Sequence, residues 1–416
     1  MLYYKKKIII IKHINMKKFN FYNFLNLLKL ESIKIEKTIN LIASENYTSL
    51  SSIIYSSSCY INKYTEGYPK NRYYSGCKIF DIFENKSIIE SQILFNSFFS
   101  NVQPHSGAQA NASAMFSLIN INDKILSLDL KSGGHLTHGF KKNFSGKNYN
   151  IINYCLNKNN LLNNKNIELI IKNEKPNLII LGYSSYQKNI DWEIIYKIAK
   201  KNNCLILTDI SHISGFICSG LIKNPINYSD IVSSTTHKTL RGVKGGILLS
   251  NKRKIFNKIN NSVFPGQQGG SISNNIVGKY ISFKESNNFN FINYSKQILL
   301  NAKIMLKTFI YRGYKSMSID TVNHMFLIKI ENNSSFYIEK LLEKNNILLN
   351  RNFFPNDLKS SKSPSSIRIG TSSITTRKMK NKEAELISNY ICDLIEKNKF
   401  SNKKIKILCN YFPIYK

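Results

Sequence analysis

The chain has 416 residues, 42% hydrophobic and 20% charged, which excludes a mainly disordered protein and suffices for two or three domains with a large buried core. Lys and Arg number 59 against 25 Asp and Glu, a formal charge of +34, which on its own would point to a nucleic acid or a membrane surface. The excess is dispersed among Ile and Asn, in runs such as Asn163-Asn164-Lys165-Asn166-Ile167, rather than gathered in one stripe. These residues share A/T-rich codons, so mutational bias accounts for the charge and no specific nucleic-acid partner is expected.

Seven cysteines show no C-x-x-C pair or framework spacing, which fits reduced thiols in a cytoplasmic setting. No apolar run is long enough to span a membrane, so no membrane partner is expected. The first 30 residues lack acids but also lack Arg and Ser, which argues against a transit peptide. Met16 offers an alternative start that would leave residues 1–15 as a loose arm.

Residues 20–40 read as a helix. Strands are expected at Lys124–Leu130, Leu178–Gly182, Cys204–Thr208, Asp230–Ser233 and Gly246–Leu249, each a near-continuous aliphatic run of the kind buried on both faces. Helical spacing between them, as over Trp192–Lys200, predicts an α/β fold with a mostly parallel, doubly wound sheet. A long helix (294–311), a strand (Met325–Ile330) and helices over 336–344 and 381–397 form a smaller α/β domain. The expected division is an N-terminal arm and helix (1–60), a large domain (61–285) and a small C-terminal domain (286–416).

Five of the seven histidines lie in small-residue segments after or between strands, where open α/β sheets bind ligands. Pro104-His105-Ser106-Gly107-Ala108-Gln109-Ala110-Asn111 precedes a helix expected to start near Asn111. Such a turn is a phosphate seat or a plain cap. Gly133-Gly134-His135-Leu136-Thr137-His138 offers an H-x-x-H pair. No third ligand stands at usable spacing, so a cofactor-facing loop is preferred to zinc and no metal is expected.

Asp209 ends the strand Cys204–Thr208, where it is either a helix cap or a buried carboxylate in need of a partner. One strand further, Ser233-Ser234-Thr235-Thr236-His237-Lys238 places a lysine in a hydroxyl-rich turn. A Schiff-base lysine paired with an aspartate on a pyridinium nitrogen is what pyridoxal 5'-phosphate chemistry needs. At about 4 Å and an effective dielectric near 20, that ion pair is worth about 4 kcal/mol gross.

With Leu41-Ile42-Ala43-Ser44-Glu45-Asn46-Tyr47, Lys63-Tyr64-Thr65-Glu66-Gly67-Tyr68-Pro69, Arg72-Tyr73-Tyr74-Ser75-Gly76-Cys77, Phe264-Pro265-Gly266-Gln267-Gln268-Gly269-Gly270 and Ile367-Arg368-Ile369-Gly370-Thr371, the chain resembles the serine hydroxymethyltransferases. These are pyridoxal-phosphate-dependent transferases of fold type I, and the resemblance runs from Leu41 to the C-terminus. It implies reversible conversion of L-serine and tetrahydrofolate to glycine and 5,10-methylenetetrahydrofolate, by a homodimer with shared active sites.

By the same resemblance Lys238 is the Schiff-base lysine and Asp209 its pyridinium partner. His135 stacks on the ring, with His212 and Ser184 on its phenolic side and Thr235 in the catalytic set. Ser106, Gly107 and His237 hold the phosphate, joined by Tyr64 and Gly270 of the neighbouring subunit. Arg368 clamps the substrate carboxylate with Ser44 and Tyr74, and Arg377 lies close by. Glu66 transfers a proton near the substrate hydroxyl and the folate. Tyr73, Leu130, Gly134, Leu136 and Asn352 line the pterin pocket.

Lys244, Ser271 and Ser372 stand where the family usually has Arg, Pro and Pro, and the two lost prolines are expected to lower stability. A threonine aldolase of the same fold would share Lys238, Asp209 and Arg368, while Glu66, Tyr73 and Asn352 argue for folate. A basic nucleic-acid-binding protein without catalysis is the reading from a different class.

Overall fold

The computed structural model describes residues 21–356, 364–397 and 403–415; the arm at 1–15 and the alternative start at Met16 lie outside them. The large sheet has seven strands: β1 (Phe99–Asn101), β2 (Lys124–Leu128), β3 (Asn150–Tyr154), β4 (Leu178–Gly182), β5 (Leu205–Asp209), β6 (Ile231–Thr235) and β7 (Gly246–Ser250). Their spatial order is β1-β7-β6-β5-β4-β2-β3. All neighbours run parallel except the two pairings of β7. The order reverses at β2, which lies between β3 and β4, so the loops after β2 and β4 flank a topological switch point. They touch there: Ser184 N donates to Gly133 O at 2.7 Å.

Strand alternation sends side chains to two covered faces. Leu126, Ile179, Leu181, Ile206, Val232, Ile247 and Leu249 join one buried cluster with Trp192 and Ile195 of the helix Trp192–Lys201. Ile125, Leu178, Ile180, Leu207, Ile231 and Leu248 join another with Ala110, Ala114 and Met115 of the helix Gly107–Leu118. A third cluster surrounds an antiparallel sheet of β8 (Met325–Lys329), β9 (Asn350–Asn352) and β10 (Ser366–Gly370), with β10 in the middle. The helix Phe289–Tyr311, about 34 Å long, crosses between cores: Phe291 and Ile298 belong to the first, Met305, Leu306 and Phe309 to the third.

Several expectations shift. β1 and β3 were not anticipated, because one is three residues long and the other carries exposed polar positions. The helix expected near Asn111 starts at Gly107, because Ser106 is extended and its hydroxyl accepts from Gln109 N at 3.2 Å. The C-terminal helix Asn381–Lys397 is followed by another, Lys403–Tyr411. The stretch expected as a separate N-terminal part contributes Ile39 and Leu41 to the third core, where Ile39–Asn40 pairs with Ile347–Leu348. All seven cysteines are free. No helix among the described residues is long and apolar enough to cross a membrane.

Candidate active site

Asp209 and Lys238 come together because β5 and β6 are adjacent and in register, Asp209 opposite Ser233, and the turn after β6 carries the lysine. Asp209 Oδ2 accepts from Asn111 Nδ2 at 2.8 Å and from His138 Nε2 at 3.0 Å, and Oδ1 accepts from Ser211 N at 2.9 Å. Burial alone would raise this carboxyl. The hydrogen bond and charge of His138, with the charges of His135 and Lys238, outweigh burial and hold it well below the usual carboxylate range.

Lys238 is 7% exposed, and its Nζ makes no hydrogen bond among the described residues. Burial lowers its pKa from 10.5 to about 8, with Asp209 pulling it up and Arg368 pushing it down. Its carbonyl accepts from Asn46 Nδ2 at 2.8 Å, which ties the 41–47 segment to the lysine turn. That segment also meets β10: Gly370 N donates to Leu41 O at 2.8 Å, and a Cβ on Gly370 would come within 2.4 Å of Ala43 Cα. Ser44 thereby lies beside the strand that carries Arg368.

Arg368 is 8% exposed. Its Nε donates to Asn350 Oδ1 at 3.1 Å and its Nη1 to Ser184 O at 2.7 Å. Two of its five N–H groups are thus committed to aiming the guanidinium, and three remain for a carboxylate. Burial lowers its pKa to about 10, so it stays cationic at neutral pH.

His135 Nδ1 lies 2.7 Å from Thr137 Oγ1, and burial, then the charge of His138, lowers its pKa to about 4 despite Asp209. A neutral ring is thereby available as a flat face. His212 Nδ1 lies 3.3 Å from His324 Nε2, which also lies 2.9 Å from Ala43 O. Ser184 Oγ donates to Gly134 O at 2.7 Å, so its carbonyl, bound to Arg368, faces the site more directly than its hydroxyl.

At the other end Ser106 caps its helix and Gly107 opens it. A Cβ on Gly107 would meet Thr235 Cγ2 at 2.5 Å, so only glycine leaves that helix end clear. His237 Nδ1 is buried and has no hydrogen-bond partner among the described residues, and burial, followed by Lys238, lowers the ring's pKa to about 4.

Tyr64, Glu66, Tyr73, Tyr74 and Gly270 form a second group. The Tyr64 and Tyr74 rings lie 4.9 Å apart, and Gly270 faces the Tyr64 ring. Nearby Glu66 raises the Tyr64 hydroxyl. Tyr64, Tyr73 and Tyr74 are 55%, 74% and 48% exposed. Among the described residues no hydrogen bond or ring contact joins this group to Lys238 or Arg368. Of the pterin positions, Gly134 packs against Leu128 O, Leu136 is half exposed, Leu130 is partly exposed and Asn352 Oδ1 accepts from Phe353 N.

Arg377 needs a correction. It is 1% exposed and donates to the carbonyls of Phe412, Thr38, Glu36 and Cys409. Its guanidinium is a buried clamp joining the N-terminal helix to the C-terminal one, with no face left for a substrate. Ser271 also departs from expectation, since its hydroxyl is 2.8 Å from buried Thr65 Oγ1.

Asn111, His138, His324 and Asn350 were not anticipated as organisers of the site. His138 was visible only as half of an H-x-x-H pair. The pair splits, His135 toward the lysine and His138 onto Asp209, and the described residues contain no group of three or more metal-ligating side chains.

A family model described as "Serine hydroxymethyltransferase" matches residues 20–391. Proteins named serine hydroxymethyltransferase from Buchnera aphidicola, Phytoplasma mali and Francisella tularensis subsp. novicida are 42%, 43% and 41% identical to the chain. These alignments cover 92%, 93% and 94% of the chain and 95% of each relative. The Asp209–Lys238 pairing lies inside the matched region, and the chain belongs to the serine hydroxymethyltransferase family.

Proposed function

We propose that the serine hydroxymethyltransferase activity shown by that membership runs on pyridoxal 5'-phosphate held by Lys238, with tetrahydrofolate as co-substrate. The observation that carries the reading is the buried Lys238 amine without a hydrogen-bond partner, one strand from an Asp209 carboxylate kept anionic by His138 and Asn111. The donor set fits the cofactor: a neutral histidine face at His135, an unpartnered His237 Nδ1, and a capped helix start at Ser106-Gly107 that admits a phosphate. Thr235, Ser184 and His212 complete its surroundings.

Pyridoxal phosphate bound there supplies an electron sink for the pair left on the substrate α-carbon when a bond to it breaks. Lys238, with a pKa of about 8, has about a tenth of its amine neutral at pH 7 and ready to attack a carbonyl. Arg368 takes the substrate carboxylate with its three free N–H groups, and Ser44 adds a hydroxyl. Fixing the carboxylate turns the substrate about its α-carbon and so selects which bond stands across the conjugated system. Asp209 holds its negative charge throughout.

Glu66 accepts the proton from the serine Oγ as the hydroxymethyl group leaves, and Tyr73, Leu130, Gly134, Leu136 and Asn352 receive the pterin. Exposure of Tyr64, Tyr73 and Tyr74 and partial exposure of Glu66, apart from the lysine pocket of their own chain, supports a homodimer in which they complete the partner's site. A large unit over 61–285 then carries the cofactor and the remainder carries Arg368. Seven free cysteines favour the cytoplasm.

Cleavage of L-serine by the purified protein, followed as glycine formation with and without tetrahydrofolate, tests the reading. Strict dependence on tetrahydrofolate is expected. Cleavage of 3-hydroxy amino acids with no response of serine to folate would replace it with an aldolase.

A further inference from the structure

Lys279, on the helix Ser273–Ser286, is 1% exposed and plays no part in the chemistry above. Its Nζ donates to Val102 O at 2.6 Å, Pro104 O at 3.1 Å and Gly246 O at 3.0 Å, so all three ammonium protons go to main-chain carbonyls. Those carbonyls bracket the approach to Ser106. Val102 and Pro104 precede it in the chain, and Gly246 opens β7 beside it.

The neighbouring glycines fit this arrangement. A Cβ on Gly245 would meet Lys279 Cε at 2.2 Å, and one on Gly246 would meet Ser106 O at 2.4 Å. Gly246 N also donates to Pro104 O at 3.0 Å. The 102–106 backbone is therefore wedged between a buried cation on one side and the start of β7 on the other. A buried charge is a costly way to fill space, and an apolar side chain of similar volume would serve packing as well or better. Three carbonyls converging on one ammonium instead point to a fixed backbone path.

We infer that Lys279 is a positioning residue for the phosphate end of the site, holding the Val102–Ser106 path so that Ser106 and Gly107 meet the cofactor phosphate. This rests on the pyridoxal phosphate reading. It acts through the backbone, by the three carbonyls that Nζ gathers.

The test compares binding of pyridoxal phosphate with that of pyridoxal, which lacks the phosphate, to ligand-free wild-type protein, Lys279→Met and Gly245→Ala. Gly245→Ala keeps the ammonium and displaces it. The Lys238 adduct is read by its visible absorption, and Tm is recorded beside it. Both variants should weaken pyridoxal phosphate by on the order of tenfold, the size of one lost charge-assisted hydrogen bond, and leave pyridoxal unchanged. Equal weakening of both ligands, or of neither, would overturn the inference. Should Lys279→Met fail to fold, Gly245→Ala alone decides. No adduct in wild type would instead remove the pyridoxal phosphate reading itself.

Discussion

His138 Nε2 lies 3.0 Å from Asp209 Oδ2, and the contact is almost closed to solvent, with the two side chains 2% and 8% exposed. It gives the carboxylate a hydrogen-bond partner from the loop after β2 and spares it an unpaired burial.

Asp209→Asn removes the charge and keeps the shape. The folded carboxyl titrates below its unfolded value, so it adds stability that is full above about pH 5 and fades as pH falls through and below about 4. The ligand-free variant should therefore show a lower Tm than wild type at pH 7, with a gap that narrows in acid. A gap that widens in acid would contradict the assignment. Turnover should fall at least about a hundredfold, since a neutral amide cannot hold a pyridinium proton.

Lys238 gives a kinetic prediction. Only the neutral amine attacks, so uptake of pyridoxal phosphate by the ligand-free protein should rise with pH to a midpoint of about 8 rather than near 10.5. Asp209 raises that pKa and Arg368 lowers it. Asp209→Asn should move the midpoint down and Arg368→Gln should move it up, as stopped-flow absorbance would record.

The two arginines of the C-terminal region separate cleanly. Arg368→Lys keeps a charge but cannot serve Asn350 Oδ1, Ser184 O and a carboxylate together, so the KM for serine should rise roughly a hundredfold. Arg377→Lys should change that KM less than about threefold. It should lower stability by about 3 kcal/mol through lost ties to Glu36, Thr38, Cys409 and Phe412. Steady-state kinetics and thermal melts on both proteins check this.

The two missing prolines should also part company. Ser372 is the first residue of the helix Ser372–Thr376, a place that suits proline, and its Oγ is buried without a partner. Ser372→Pro should stabilise by about 0.4–1 kcal/mol or more. Ser271→Pro gives up the hydroxyl on Thr65, so its gain should be smaller or absent. Thermal melts of the two variants would show the difference.

Much of the fold was legible because five of the seven strands are aliphatic runs buried on both faces, and β4 spans the predicted residues unchanged. β1 and β3 escaped because a three-residue Phe-Ser-Asn strand carries no periodicity and Asn150–Tyr154 mixes polar with apolar positions. At the site, Lys238 and Asp209 could be paired from their places after adjacent strands. His138 and Asn111 could not, because their partner is met only when the helix after β1 and the loop after β2 converge on Asp209. Arg377 misled for the opposite reason: a resemblance to a family arginine near the site says nothing of the four carbonyls around its guanidinium. Lys279 was one of many lysines in a strongly basic chain, and only its burial against three carbonyls distinguishes it.

The most direct measurement is the absorption spectrum of the purified protein with pyridoxal phosphate, then with glycine, then with glycine and tetrahydrofolate. The account predicts a visible band that depends on Lys238 and shifts strongly to longer wavelength only when tetrahydrofolate joins glycine. A band indifferent to folate would contradict the folate assignment, and no visible band at all would contradict the role given to Lys238 and Asp209.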